Sequence, residues 1–385
     1  MGGSHGHAHG TDGTRAPESR RTRRLALLVV VPLAVLTLVA LAVLWPRDAV
    51  PDSGGQAAQE LDATVTAIAR EACPAELDDD VNGCGTATIE LAEQPAQGER
   101  EVEVPLPNGS GAPELDEGDA VVVTVADTPD GPAYSVVDHQ RSTGLLVVAV
   151  AFALAMVAFG RWRGLAALVG LVVTFGVLLL FVVPAILTGS PPLLVAVVGA
   201  AAIALSVLYL THGFTLTTTV ALLGTLVSLA LTGALAAGVT AALHLTGVTD
   251  DISGSVDMTY DVDMAGLLVA SIIIGSLGVL DDVTVTQAET VAELAAADPS
   301  SGFGRLYRSA SRVGRAHIAS VVNTIVLAYA GSSLPLLLLI AADNDSFVGV
   351  VSTQLVAQEV VRSIVATLGL VAAVPLATAL PAAAA

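Results

Sequence analysis

Long apolar runs alternate with short polar stretches through most of the chain. Residues 25–45 form one such run, and from residue 144 onward apolar stretches follow each other to the end. A helix needs about 20 apolar residues to cross the hydrocarbon layer of a membrane. The pattern predicts a polytopic α-helical membrane protein with about eight spans: an anchor at 25–45, then spans at about 144–160, 164–187, 191–211, 215–245, 264–288, 317–341 and 360–381.

The segment between the first two spans has a different period. Apolar and polar residues alternate at 101–104, 120–125 and 134–137, with glycine-containing turns between the runs. A period of two is typical of half-buried β-strands. We therefore divide the chain into a disordered tail (1–24), an anchor (25–45), an acidic β-rich domain (46–142) and a helical transmembrane domain (143–385).

Arginine positions predict the orientation. All 16 basic residues are arginines, and 11 of them lie in the tail, at 161–163 or at 305–315. Because arginine-rich loops stay in the cytoplasm, both chain termini are expected there and residues 46–142 outside. The net charge of −20 comes mainly from the 21 acidic residues within 46–142. Nucleic acid is excluded as a partner because it requires a basic face.

Two cysteines, Cys73 and Cys84, lie in the acidic segment. A disulfide closing a surface loop is expected if the segment faces an oxidising compartment. The alternative is a reduced pair that binds metal, although no histidine lies nearby in the sequence.

An aspartate pair, Asp281 and Asp282, follows an apolar run of 17 residues, 264–280. That run is too short to span the membrane alone, so the pair must lie within the bilayer or at its inner edge. One carboxylate at the centre of a spanning helix costs roughly 2.5–3.5 kcal/mol. Two adjacent carboxylates do not both ionise cheaply at low dielectric. The pair is thus our candidate for a buried acidic site, with Asp282 as the titrating group and Asp281 as its neighbour.

Polar residues on the sixth to eighth spans are candidate partners of this pair. The ion- or proton-coupling set consists of Asp281, Asp282, Asn323, Glu359 and Arg362. The supporting polar set consists of Thr284, Thr286, Gln287, Glu289, Arg315 and His317. Small residues also recur at helical spacing, which favours close approach of membrane helices. These stripes are Gly224, Ser228 and Thr232; Ser271, Gly275 and Gly278; and Ala366, Gly369 and Ala373.

Several motifs resemble one family of bacterial membrane proteins, YibE/F. They include Gly160-Arg-Trp-Arg-Gly-Leu165, Ile274-Gly-Ser-Leu-Gly-Val-Leu-Asp-Asp282 and Asn323-Thr-Ile-Val-Leu-Ala-Tyr-Ala-Gly331. The resemblance covers residues 134–381 and implies a bacterial plasma membrane protein with one anchor, one outer domain and several further spans. The stretch Gly278-Val-Leu-Asp-Asp-Val-Thr-Val285 is also similar to the fourth-helix motif of the Sec D/F translocation partners and RND exporters. That similarity implies proton coupling at Asp282.

These observations predict a secondary transporter of a small solute or ion, coupled to protons or cations. The alternative is a non-transporting envelope assembly or partner-binding protein, in which the helices serve as an anchor. An enzyme is not expected, because no catalytic triad, zinc-protease motif, phosphate loop or CxxC pair occurs. No cofactor is expected, the lipid bilayer and the solute are the expected partners, and a homo-oligomer is left open.

Overall fold

The computed structural model describes residues 20–48, 59–73, 80–93, 100–128, 131–249, 251–335, 338, 349 and 352–384. The chain divides into two compact units. One unit is Asp52–Phe159, and the other is Met1–Pro51 together with Gly160–Ala385. The predicted tail at 1–24 lies almost wholly outside the described residues.

The first unit contains an antiparallel sheet of five strands in the spatial order β3-β2-β1-β4-β5. The strands are β1 (Gln59–Glu71), β2 (Cys84–Leu91), β3 (Glu101–Pro105), β4 (Ala120–Thr128) and β5 (Gly131–His139). The three predicted strands correspond to β3, β4 and β5. The sequence did not predict β1 and β2, whose apolar positions include the small residues Ala63 and Ala87.

One buried asparagine holds the loops at an end of this sheet. Asn82 donates from Nδ2 to the carbonyls of Pro107 (2.6 Å) and Pro113 (2.7 Å), and its Oδ1 accepts from the Leu115 N–H (2.8 Å). Next to it, Cys73 and Cys84 form a disulfide with Cα atoms 5.2 Å apart, within the usual range. The expectation of a disulfide is confirmed over that of a metal-binding pair.

The helices are α1 (Arg20–Leu44), α2 (Ser142–Val177), α3 (Val183–Leu187), α4 (Pro192–His212), α5 (Leu216–Ala242), α6 (Asp251–Tyr260), α7 (Met264–Ala297), α8 (Phe303–Ser332) and α9 (Gln354–Ala384). A π-helical turn, Leu178–Val182, joins α2 to α3. Within the described residues, seven helical segments are long and apolar enough to cross a membrane.

Seven segments is one fewer than the predicted eight spans. The sequence suggested separate spans at 144–160 and 164–187, whereas the structure has one helical run, Ser142–Leu187, of 46 residues. The polar residues around Arg161 predict a loop between the two spans. The backbone leaves the helical conformation at Arg161 (φ 52°, ψ −127°) but returns to it at once, so the run has a kink instead of a loop.

Helix α7 lies at the centre of the second unit and packs against α4, α5, α8 and α9. Small residues bring α5 and α9 together beside it. A Cβ atom at Gly369 would overlap the Thr232 side chain, and one at Gly224 would lie 3.5 Å from the Ala377 Cα. The stripes predicted on the fifth and eighth spans are thus confirmed as a contact between helices.

The stripe predicted on α7 is packed less closely than the stripes on α5 and α9. Gly275 and Gly278 are exposed, and a Cβ atom at Gly278 would meet no described atom within 4 Å. Instead, α7 turns another face to α5, where Thr284 and Ile273 lie against Gly224 and Gly233. Gly275 nevertheless lies against α8, since a Cβ atom there would be 3.4 Å from the Tyr329 hydroxyl. The expectation that this stripe brings a partner helix onto Asp282 stays a prediction.

Candidate functional site

Helix α7 positions the aspartate pair. Its first turn is capped by Asp263, whose Oδ1 accepts the Gly266 N–H at 2.9 Å. The helix then continues for 34 residues and ends at Ala297, beyond the predicted end of the span at 288. At 1.5 Å per residue its length is about 50 Å, more than the hydrocarbon layer requires. The pair therefore lies in the middle of a long helix and not at a helix end.

The two aspartates have different surroundings. Asp281 is half-buried, and its Oδ1 atom is buried without a hydrogen-bond partner among the described residues. Asp282 is exposed. Neighbouring helix positions point about 100° apart, which explains why one carboxyl group turns inward and the other outward. The structure thus distinguishes two residues that the sequence grouped together.

Buried hydroxyl groups lie one turn along α7 from Asp281. The Oγ1 atoms of Thr284 and Thr225 are 2.5 Å apart, which links α7 to α5. Thr284 also donates to the Asp281 carbonyl at 3.1 Å. Both threonines are fully buried. Thr225 was missed in the sequence, although it precedes Ser228 and Thr232 at positions i, i+3 and i+7 of one polar stripe.

Gln287 connects α7 to α8. Its side chain is 3% exposed, and Nε2 donates to the Ala310 carbonyl at 2.7 Å. Gly314 lies against the same amide. A Cβ atom there would lie 2.6 Å from Gln287 Oε1 and 2.8 Å from Val374 Cγ1 of α9. Three helices therefore meet at Gly314. They lie so close together there that any side chain larger than that of glycine would overlap Gln287 or Val374.

Helices α7, α8 and α9 also line a partly open cavity of about 190 Å³. Its walls are mainly apolar and include Val279, Ile325 and Leu370. The polar residues of the wall are Ser276 and Tyr329, and the Ser276 hydroxyl is already bonded to the Ile273 carbonyl. Cavities of this order hold small organic molecules in other proteins.

Glu359 and Arg362 do not join the aspartate pair. They form an ion pair with each other at 3.5 Å, one turn apart on α9. Gly224 places Ala377 of α9 level with Thr284 of α7, because it lies against both. Arg362 precedes Ala377 by 15 residues, or about 22 Å along the helix. Contact between Arg362 and Asp282, as the sequence suggested, is therefore absent from this arrangement of the described residues.

The remaining predicted residues fall into two groups. Asn323, Arg315 and Glu289 are exposed, so they face away from the packed interior. Thr286 and His317 are half-buried, and the His317 Nε2 atom is buried without a partner among the described residues. The site that the structure assembles is thus smaller than the predicted one, with Asp281, Thr284, Thr225 and Gln287 at its centre.

This arrangement suits reversible neutralisation of a carboxylate. A carboxylate oxygen that lacks hydrogen bonds in an apolar interior is costly unless a proton or a cation neutralises it. Within the described residues, no group of three or more His, Cys, Asp or Glu side chains has the arrangement of a metal site. The unpartnered oxygen of Asp281 is thus the candidate titratable or ion-binding group.

The YibE/F-like protein family matches residues 148–385, which include the helices from α4 to α9 and most of α2. No curated protein and no solved structure matches the chain. Because the match covers well over half of the sequence and contains the aspartate pair, the chain belongs to the YibE/F-like protein family.

Proposed function

We propose that the chain is a secondary transporter of the bacterial plasma membrane, and that Asp281 couples a proton or cation to the movement of a small solute or ion. The observation that carries this proposal is the buried, unpartnered Oδ1 atom of Asp281 among packed helices. A structural carboxylate is normally satisfied by hydrogen bonds or a cation. An unsatisfied one at intramembrane depth is a functional candidate by default.

Among the described residues, few polar contacts hold the neighbouring helices to α7 near Asp281. Thr284, which donates to the Asp281 carbonyl, also bonds Thr225 of α5. Further along α7, Gln287 holds α8 through one hydrogen bond to the Ala310 carbonyl. The cavity between α7, α8 and α9 supplies space for rearrangement or for a solute. Binding of a proton or cation at α7 would then favour one packing of α8 over another.

The membrane arrangement is part of this proposal. The 46-residue run Ser142–Leu187 is about 69 Å long if helical throughout, roughly twice the hydrocarbon thickness. A kink at Arg161 divides it into two lengths that each suffice for one crossing. Eight crossings would leave both termini on one side of the membrane. The arginine-rich segments support the cytoplasm as that side, with the sheet of β1–β5 outside.

The test is a flux assay with the purified chain in proteoliposomes that contain a pH-sensitive dye. A panel of metal ions, inorganic anions and organic acids is applied across an imposed proton gradient. Solute-dependent proton movement is expected for the wild type and should be lost in Asp281→Asn. The matched control is Glu293→Gln, because Glu293 is an exposed acid on the same helix. Equal flux in wild type and Asp281→Asn would reject the coupling role.

A second candidate function is partner binding by the sheet. The unit Asp52–Phe159 has its own hydrophobic core, including Ile89, Leu115 and Val121, and its own disulfide. If residues 46–142 on an unrelated membrane anchor restore growth to a deletion strain, the helical unit is not required and transport is rejected. If the full chain is required and the Asp281→Asn variant fails, partner binding alone is insufficient.

A further inference from the structure

The first half of α8 carries a stripe of arginines. Arg305, Arg308, Arg312 and Arg315 are spaced i, i+3, i+7 and i+10, which aligns them on one face of the helix. All four are exposed, and they border an open depression of about 650 Å³. The opposite face of the same segment, with Leu306, Ala310 and Gly314, is buried in the helical unit.

The charges of this stripe are largely uncompensated. Arg305 pairs with Asp298 at 3.1 Å. Within the described part of the chain, no carboxylate lies within ion-pair distance of Arg308, Arg312 or Arg315. Side chains three and four positions apart are neighbours on a helix, and like charges there destabilise it. An anion bound between these guanidinium groups would remove that repulsion and accept several charge-assisted hydrogen bonds.

The surface beyond the stripe indicates which anion fits. The exposed positions that follow Arg315 along α8 are mainly small or apolar, with Ala316, Ala319, Val326 and Leu327 among them, and are interrupted by Ser320, Asn323 and Thr324. A free phosphate would leave this apolar surface without a partner. A phospholipid presents a charged headgroup and acyl chains in the same order along the membrane normal, so it complements both parts of the helix.

We infer that Arg308, Arg312 and Arg315 form a binding site for the headgroup of an anionic phospholipid. The bound lipid covers the exposed face of α8 while the other face rests on α7 through Gly314 and Gln287. The lipid therefore helps to hold α8 in its packed position. This inference depends on the membrane placement of α8 and is independent of transport, because its test measures binding.

The experiment is a lipid titration of the purified full-length chain in a neutral detergent, followed by native mass spectrometry. The probes are phosphatidylglycerol and phosphatidylcholine with identical acyl chains. The wild type should bind phosphatidylglycerol more tightly, and R308Q/R312Q/R315Q should lower that affinity about tenfold or more without changing phosphatidylcholine binding. R308K/R312K/R315K keeps the charges and should retain most of the binding, which separates loss of charge from loss of fold.

The matched control is R161Q/R163Q, which removes exposed arginines from the other predicted cytoplasmic segment. It should leave phosphatidylglycerol affinity within about twofold of the wild type. The inference is wrong if the two sets of variants weaken binding equally, or if the wild type does not distinguish the two lipids. It is also wrong if inorganic phosphate alone displaces phosphatidylglycerol completely, because the site would then recognise a free anion.

Discussion

Single glycines determine how closely the helices α5, α7, α8 and α9 approach each other. Gly314 leaves room for the Gln287 amide and the Val374 methyl group, and Gly369 leaves room for Thr232. The side chains of Asp281 and Asp282 differ only in the direction in which they leave the helix. As a result, Asp281 has a buried carboxylate oxygen and Asp282 is exposed. The sequence predicted the pair but favoured Asp282, because neighbouring positions in an apolar run cannot be ranked without knowing which helix face is covered.

We expect Gly314→Ala to destabilise the helical unit. The added methyl group would lie 2.6 Å from Gln287 Oε1 and 2.8 Å from Val374 Cγ1. Such overpacking costs about 1–3 kcal/mol in well-packed cores. The measurement is thermal unfolding of the purified chain in detergent.

The matched control for that variant is Gly304→Ala on the same helix, where a Cβ atom would meet nothing within 4 Å. The control should unfold at the wild-type temperature or slightly above it, since alanine has the higher helix propensity. Equal stability of Gly314→Ala and Gly304→Ala would mean that the three helices are less tightly packed at this point than described.

The turn between α7 and α8 is held together by the side chain of Asp298. Asp298 follows the last residue of α7, and its backbone N–H bonds the Leu294 carbonyl. Its carboxylate accepts the hydroxyls of Ser300 (2.6 Å) and Ser301 (2.8 Å) and pairs with Arg305 of α8. These hydrogen bonds, with a smaller contribution from Arg305, lower the pKa of Asp298 from 3.8 to about 2. The turn is thus held by the ionised carboxylate.

Replacement of Asp298 by Asn should loosen this turn at neutral pH. Because the pKa is lower in the folded chain, the stabilisation is present above about pH 4 and is lost as the pH falls through about 2. Hydrogen exchange of residues 298–305, corrected for the intrinsic effect of pH, should be faster in Asp298→Asn at pH 7. Glu293→Gln, a change at an exposed acid of α7, should leave exchange unchanged. A variant with wild-type protection at pH 7 would contradict the role of the carboxylate.

The whole chain consists of two units with separate means of stabilisation. The sheet unit is small and combines a core around Ile89 and Val121 with the Cys73–Cys84 disulfide. The helical unit has a larger core in which α7 contacts four other helices. Small domains with limited cores gain most from a covalent link.

Removing the disulfide should therefore affect one unit alone. Cys73 and Cys84 are 11 positions apart, and closing a loop of this length contributes about 2–3 kcal/mol. In Cys73→Ser/Cys84→Ser, hydrogen exchange should become faster in β1 and β2. Exchange in α5 and α7 should stay at the wild-type level. Faster exchange in α7 would show that the units depend on each other for stability.

The sequence alone determined the class of protein, three of the strands, the disulfide, the long apolar helices and the aspartate pair. These features follow from local composition and period, because a helix or a strand must present a fitting face wherever it packs. Only the tertiary structure decided that α7 is central, that Asp281 is the aspartate with a buried oxygen and that Thr225 lies beside Thr284. It also placed Arg362 about 22 Å from the level of Thr284. The reason is that the period of a helix indicates which of its faces can pack, whereas the partner and the register of that face depend on contacts between residues far apart in the chain.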